Sequence, residues 1–176
     1  MIRKYQTHTP VLGKRCHIDQ SALLIGNITL GDDCSIWPQA VIRGDVNSIS
    51  IGERTNIQDG SIIHVSHSGA ISPGGYATLI GSDVTIGHGV MLHGCTLSDA
   101  CLIGMRSTIL DGACVSKHSM LGACSLLSPR KLIPEGELWM GNPARFVRKL
   151  SDQEIKNIYY SANNYVELKN IYIQDN

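Results

Sequence analysis

Large rings are scarce in this sequence: one Phe, two Trp and six Tyr among 176 residues. No run approaches the ~18 apolar residues of a membrane-spanning helix, which excludes an integral helical membrane protein. Charge is sparse and balanced, Lys+Arg 15 against Asp+Glu 15, with no long basic run. A nucleic-acid binder would carry a basic footprint, so no such partner is expected. Residues 1–9 hold no apolar stretch of the signal-peptide kind, and none of the six Cys sits in a Cys-x-x-Cys pair. Reduced thiols in a cytoplasmic protein, without disulfides, are the expectation. The length suits one domain plus an extension.

What is present is a repeat. Stepping by six from Leu12 meets Ile18, Leu24, Leu30, Ile36 and Ile42. After a three-residue insertion come Ile51, Ile57 and Ile63, and after a longer interruption Ile80, Ile86 and Leu92. One residue short of the next step, the series resumes at Leu97, Ile103, Ile109, Val115, Leu121 and Leu127. Every position is Ile, Leu or Val, although these types make up only 46 of 176 residues. Gly or a small polar residue often follows, as at Gly13, Gly31, Gly52, Gly81 and Gly104. A small residue such as Cys34, Ala40, Thr55, Ser61 or Ala113 comes four places on. A period of six fits neither a 3.6-residue helix nor a simple alternating strand. It predicts short strands joined by corners, where Gly would serve through its tolerance of positive φ. Three hexads per coil give about six triangular coils, stacked at ~4.8 Å into a narrow prism with little room for rings. The pattern resembles the hexapeptide-repeat left-handed parallel β-helix, and the hand comes from that resemblance alone.

The prism is expected over residues 1–134, with the Gly/Ser/Pro-rich stretch 66–77 extruded as a loop. Residues 135–176 should form a basic connector and a helix from about 152 to 173 lying along the prism. Ser151 with Glu154 reads as a capping box, and Ile155, Ile158, Tyr159, Ala162, Tyr165, Val166, Leu168 and Tyr172 form the helical stripe.

Seven His are present. His8, His17 and His118 read as ordinary surface or structural residues. His64 follows Ile63 and His93 follows Leu92, both on the third side. Their separation, 29, is one coil of 18 plus 11 extra loop residues, so they share a column in adjacent coils. Imidazoles stacked in that way can converge on one metal. His88, two residues after Ile86, falls on the second side, where a rigid prism cannot easily bring it to the other two. The geometry predicts that it completes the site from a neighbouring subunit, in a closed homotrimer. Asp59 lies one coil below His88 and Arg43 one coil below His64, so these two could pair across the same interface.

The segments Arg43-Gly44-Asp45, Asn56-Ile57-Gln58-Asp59-Gly60, Ile63-His64, Gly87-His88 and Leu92-His93-Gly94-Cys95 resemble the γ-class carbonic anhydrase family, over nearly the whole chain. The resemblance implies zinc bound by His64, His93 and, across a trimer interface, His88. It implies roles at the site for Arg43, Asp45, Asp59 and Gln58, and for Tyr165 from the C-terminal helix. It further implies a lyase that hydrates CO2 reversibly to bicarbonate by a metal-bound hydroxide. Imidazole ligands also suit Fe(II) or Co(II). The chain departs from the family in its acids. Glutamates that move protons in the best-studied form are replaced by Val46 after Asp45 and by His67 after His64, and 66–77 contains no acid. His67 could relay protons instead, imidazole being suited to it. Acyl transfer from coenzyme A, metal-dependent thioester hydrolysis and a non-catalytic metal-bearing scaffold are the alternatives.

Overall fold

The aliphatic columns form the core. Leu24, Ile36, Ile42, Ile57, Ile63, Ile86, Leu92, Ile103, Ile109, Val115 and Leu121 are fully buried, while Leu12 and Ile18, at the end of the stack, are only partly so. Each burial contributes roughly 1.5–3 kcal/mol. In this computed structural model, which describes residues 1–175, they stack as a parallel β-solenoid. The register is the expected one: Ile36 pairs with Ile57, Ile57 with Ile86, Ile63 with Leu92 and Leu92 with Ile109. The small inward residues satisfy their own polar atoms. The hydroxyls of Thr55, Ser61, Ser107 and Ser119 donate to the carbonyls of Gly81, Gly87, Gly122 and Pro134 at 2.7–3.0 Å. That bonding lets hydroxyls occupy a buried column without an unmet partner.

The sides are not three separate sheets. The second side is an 8-stranded sheet, whereas the first and third merge into an 11-stranded one. Two long strands, Leu23–Leu30 and Val41–Ile51, run unbroken round the corner between them. Their register shifts between Gly26 and Ile28, where the three-residue insertion is absorbed.

The glycines following the aliphatic residues do not serve the corners as expected. Left-handed φ occurs three residues after the aliphatic position instead, mostly in non-glycine residues on the first side: Arg15, Asp33, Arg54, Asp83, Ala100 and His118. Gly31 and Gly52 are required by close approach. A Cβ at Gly31 would stand 2.5 Å from the Glu53 nitrogen, and one at Gly52 2.6 Å from the Gly81 carbonyl carbon. The corner charges that result alternate along the stack. The Arg15 Nε donates to Asp33 at 3.0 Å and the Arg54 Nε to Asp83 at 2.8 Å.

The stack also exceeds six coils. At one end Ile2–Arg3 pairs with Leu24 and Ile25. At the other, Leu132–Ile133 and Glu137–Gly141 continue the parallel pairing, with Trp139 above Leu121. The aliphatic pattern runs on to Ile133 and breaks only at the next place, where an indole packs against the core, its Nε1 donating to Glu137 at 2.8 Å. The basic connector proves to be a strand, Ala144–Lys149, antiparallel to Glu137–Gly141. Two of its three charges are spent on Lys149–Glu137 and Arg148–Glu154 ion pairs at 2.9 and 2.7 Å.

The helix α1 (Asp152–Asp175) packs on the second side. Its capping box forms as expected. The Ser151 backbone N–H donates to Glu154 at 2.9 Å, and the Glu154 N–H to the Ser151 hydroxyl at 3.3 Å. Ile158 and Ala162 are buried, but Tyr159 and Tyr172 lie exposed. Lys169 is buried as fully as Ile158 and Ala162, at 0% exposed, its Nζ 3.0 Å from Asp33 Oδ1. No helix among the described residues is long and apolar enough to cross a membrane.

Candidate metal centre

His64 and His93 close adjacent strands, Ile62–His64 and Met91–His93, and are direct register partners. Parallel pairing turns the two rings toward each other, with centroids 5.1 Å apart and His64 Nδ1 3.2 Å from His93 Nε2. Each far nitrogen meets a carboxylate, so each must donate. His64 Nε2 donates to Asp45 Oδ1 at 2.9 Å, and His93 Nδ1 to Asp111 Oδ1 at 2.8 Å. Asp45 stands on the bulge that the three-residue insertion creates, and Arg43, directly below His64 in its column, pairs with it. Burial works against the Asp45 charge, but hydrogen bonds from His64 and Arg43 prevail and hold its carboxyl below the usual value. Val46 beside it is exposed.

The donor set suits zinc. Imidazole nitrogens ~2.0–2.1 Å from a tetrahedral ion lie about 3.3 Å from each other, close to the 3.2 Å of His64 and His93. Nitrogen donors also suit Fe(II) and Co(II). Two ligands are not a site, however. Among the described residues no group of three His, Cys, Asp or Glu gathers in a metal-binding arrangement within the chain.

His88 lies on the other sheet, just beyond Thr85–Ile86. Its Nδ1 donates to Asp59 Oδ2 at 2.9 Å, and both side chains are 49% exposed. They border an open cleft of about 460 Å³ with Met105 and Arg106. Gln58, next to Asp59, is buried, and its Nε2 donates to Asn56 Oδ1 at 3.0 Å. Asn56 is held in turn by Thr85, whose hydroxyl is 3.2 Å from that of Ser161 on α1. Tyr165 packs edge-on against Trp37 on this side. Burial, and then the Asp59 charge, push its hydroxyl above the ordinary range.

The structure thus brings Arg43, Asp45, His64 and His93 together at one edge, and Gln58, Asp59, His88 and Tyr165 on another side. His67 joins neither group. It is exposed on the extruded loop and makes no hydrogen bond with either set. Cys95 is buried in the core, its thiol pushed up to about 12 by that burial. Asp111 was not singled out from the sequence. It follows Ile109 by two residues and so stands over Gly94 rather than in the column of His93. The backbone of Gly94, at φ +56, leaves space there that a Cβ would take from the Asp111 carboxylate.

Comparison with known proteins adds the following. A family model described as bacterial transferase hexapeptide (six repeats) matches residues 9–44. The chain is 49% identical over 173 residues to Protein YrdA of Escherichia coli, covering 98% of this chain and 94% of that one. It is 43% identical over 158 residues to a probable carbonic anhydrase of Methanocaldococcus jannaschii, covering 90% and 95%. It is 46% identical over 171 residues to gamma carbonic anhydrase 2, mitochondrial, of Arabidopsis thaliana, covering 96% of this chain but only 60% of that longer protein. Among solved structures, one described as a putative acetyltransferase from Bacillus cereus superposes with a TM-score of 0.93 at 36% identity, covering 100% of this chain and 98% of that one.

Proposed function

The chain belongs to the hexapeptide-repeat family that includes the γ-class carbonic anhydrases, and from that premise we propose that it hydrates CO2 reversibly to bicarbonate at metal sites shared between the subunits of a homotrimer. Each site would take His64 and His93 from one subunit and the partner subunit's His88, with zinc the expected ion and Fe(II) or Co(II) also suited. The observation that carries the reading is the separation of the histidines. Two nitrogens stand one tetrahedral edge apart with no third ligand beside them among the described residues of their own chain, while His88 projects from another side with its Nδ1 already taken by Asp59. When bound, such an ion supplies the Lewis acidity that makes water a nucleophile near neutral pH.

The remaining groups hold and orient. Arg43 and Asp59 are both about half exposed and opposite in charge, so they would align the subunits by pairing across the interface. Gln58 gives one Nε2 proton to Asn56, which fixes the amide, and its Oε1 would accept a hydrogen bond from the attacking water and set its direction. Tyr165 would wall the site from the helix side. With no acid in 66–77, His67 would carry the product proton to solvent.

Acyl transfer, suggested by the family model's description and by that of the Bacillus cereus structure, is the competing reading. The test is elemental analysis of the purified protein, stopped-flow CO2 hydration before and after chelation, and acetyl-CoA consumption in parallel. The proposal expects one metal per subunit and CO2 hydration that is lost on chelation and restored by zinc. Metal-free protein that turns over acetyl-CoA and leaves CO2 untouched would contradict it.

A further inference from the structure

The carboxylate of Asp111 takes part in none of the steps above, yet it makes two short contacts through one oxygen. Its Oδ1 accepts the proton of His93 Nδ1 at 2.8 Å and the hydroxyl proton of Ser66 at 2.7 Å. Ser66 is no ordinary loop residue. It exchanges backbone hydrogen bonds with Tyr76 in both directions, at 2.9 and 3.2 Å, and so closes the neck of the extruded loop. Tyr76 in turn stands against Gly94, where a Cβ would collide with both Tyr76 and the Asp111 carboxylate. One carboxylate oxygen therefore joins the neck of the loop to an imidazole 18 residues earlier in the chain.

The chemistry of that imidazole follows from the contact. A carboxylate only accepts, so Asp111 keeps the proton of His93 on Nδ1. The lone pair then lies on Nε2, the nitrogen that faces His64 at 3.2 Å. Asp45 acts in the same sense on His64, and Asp59 on His88. Each of the three histidines thus has one nitrogen held by its own aspartate at 2.8–2.9 Å and the other left for a ligand. His118, by contrast, has both nitrogens occupied, by Glu135 and by Tyr159. Outer carboxylates of this kind fix ring orientation and raise ligand basicity.

We propose that Asp111 is the positioning residue of His93, setting its tautomer and ring angle for the metal, and that its bond to Ser66 ties the neck of the loop to that ligand. This rests on the metal reading above. Asp111 touches no reacting group and acts only through His93.

The test uses the full chain with Asp111→Asn and Ser66→Ala. In metal-free protein, nitrogen NMR of the His93 ring should show the proton on Nδ1 in the wild type and a mixed or reversed tautomer in Asp111→Asn. Zinc affinity, measured by chelator competition, should fall about 10–100-fold in Asp111→Asn, and the visible spectrum of bound Co(II) should shift. Ser66→Ala removes the loop tie but leaves the His93 bond, so its zinc affinity should stay within about threefold of wild type. Equal losses in the two variants would make Asp111 a loop anchor and overturn the proposal. Wild-type zinc affinity, tautomer and Co(II) spectrum in Asp111→Asn would overturn it while leaving the metal reading intact. A wild type that takes up no zinc would overturn both.

Discussion

The two sides of the solenoid that carry the candidate site residues are built in opposite ways. At the edge bearing His64 and His93, charge is tied up within the chain: Arg43 to Asp45, Asp45 to His64, and Asp111 to His93. On the second side a deep polar line runs from Gln58 through Asn56 and Thr85 to the helix, but His88 and Asp59 at its rim stay half exposed. The first half is organised within its own chain but holds only two of the three proposed ligands. The second would supply the third. The contrast teaches that a stiff stack assigns residues to sides so firmly that a three-histidine site of the kind proposed would have to be assembled between copies.

The largest effect should come from emptying the organised half. His93→Ala or His64→Ala should weaken zinc binding by far more than the ~10–100-fold typical of an outer partner, with the fold retained. Chelator competition with circular dichroism checks this, and full affinity in either variant would break the contrast. Next is the attachment of the helix that backs the second half. Lys169 is fully buried against Asp33, and breaking such a pair costs ~3–5 kcal/mol. Lys169→Ala should therefore lose about 3 kcal/mol in urea unfolding, the low end because Arg15 still pairs with Asp33.

The same contact predicts an acid limit. Hydrogen bonding from Arg15, aided by Lys169, holds the Asp33 carboxyl down at about 2. A lowered folded value means stability present above the unfolded carboxylate range near ~3.9 and lost as pH falls. Helix docking should therefore weaken between about pH 4 and about pH 2, and tyrosine fluorescence should follow it. In Lys169→Ala the acid transition should move upward. Arg43→Ala should have a smaller effect, since its side chain is 43% exposed. We expect weaker subunit association by about 1 kcal/mol, measured by sedimentation at falling concentration. Smallest is His67→Ala, expected to change stability by less than ~0.5 kcal/mol and to slow CO2 hydration only where buffer is dilute.

How much of this was legible in the sequence depended on whether the determinant lay in a column. The arithmetic that put His64 beside His93 and Asp59 beside His88 needed only the period and the loop length, and both pairs form. Asp111 lay outside its reach because its contact crosses columns, through a gap opened by the positive φ of Gly94. Lys169 was not picked out, because a charged residue on a helix is normally assigned to solvent and its partner Asp33 is remote in sequence. The strand Glu137–Gly141 was missed because Trp139 stands in an aliphatic place. The glycine columns were visible, but their cause was not. Backbone approach between coils, rather than positive φ, excludes a side chain at Gly31 and Gly52.

The claim that the site is divided between copies has one direct measurement. His64→Ala and His88→Ala chains, each unable to form a three-histidine site alone, are mixed and allowed to exchange subunits, and zinc bound per mixed trimer is counted. A His88→Ala subunit offers His64 and His93 intact, and a His64→Ala neighbour offers His88. The account predicts that mixed trimers regain zinc at one interface and a corresponding part of the activity. Verified exchange without recovered zinc would contradict it.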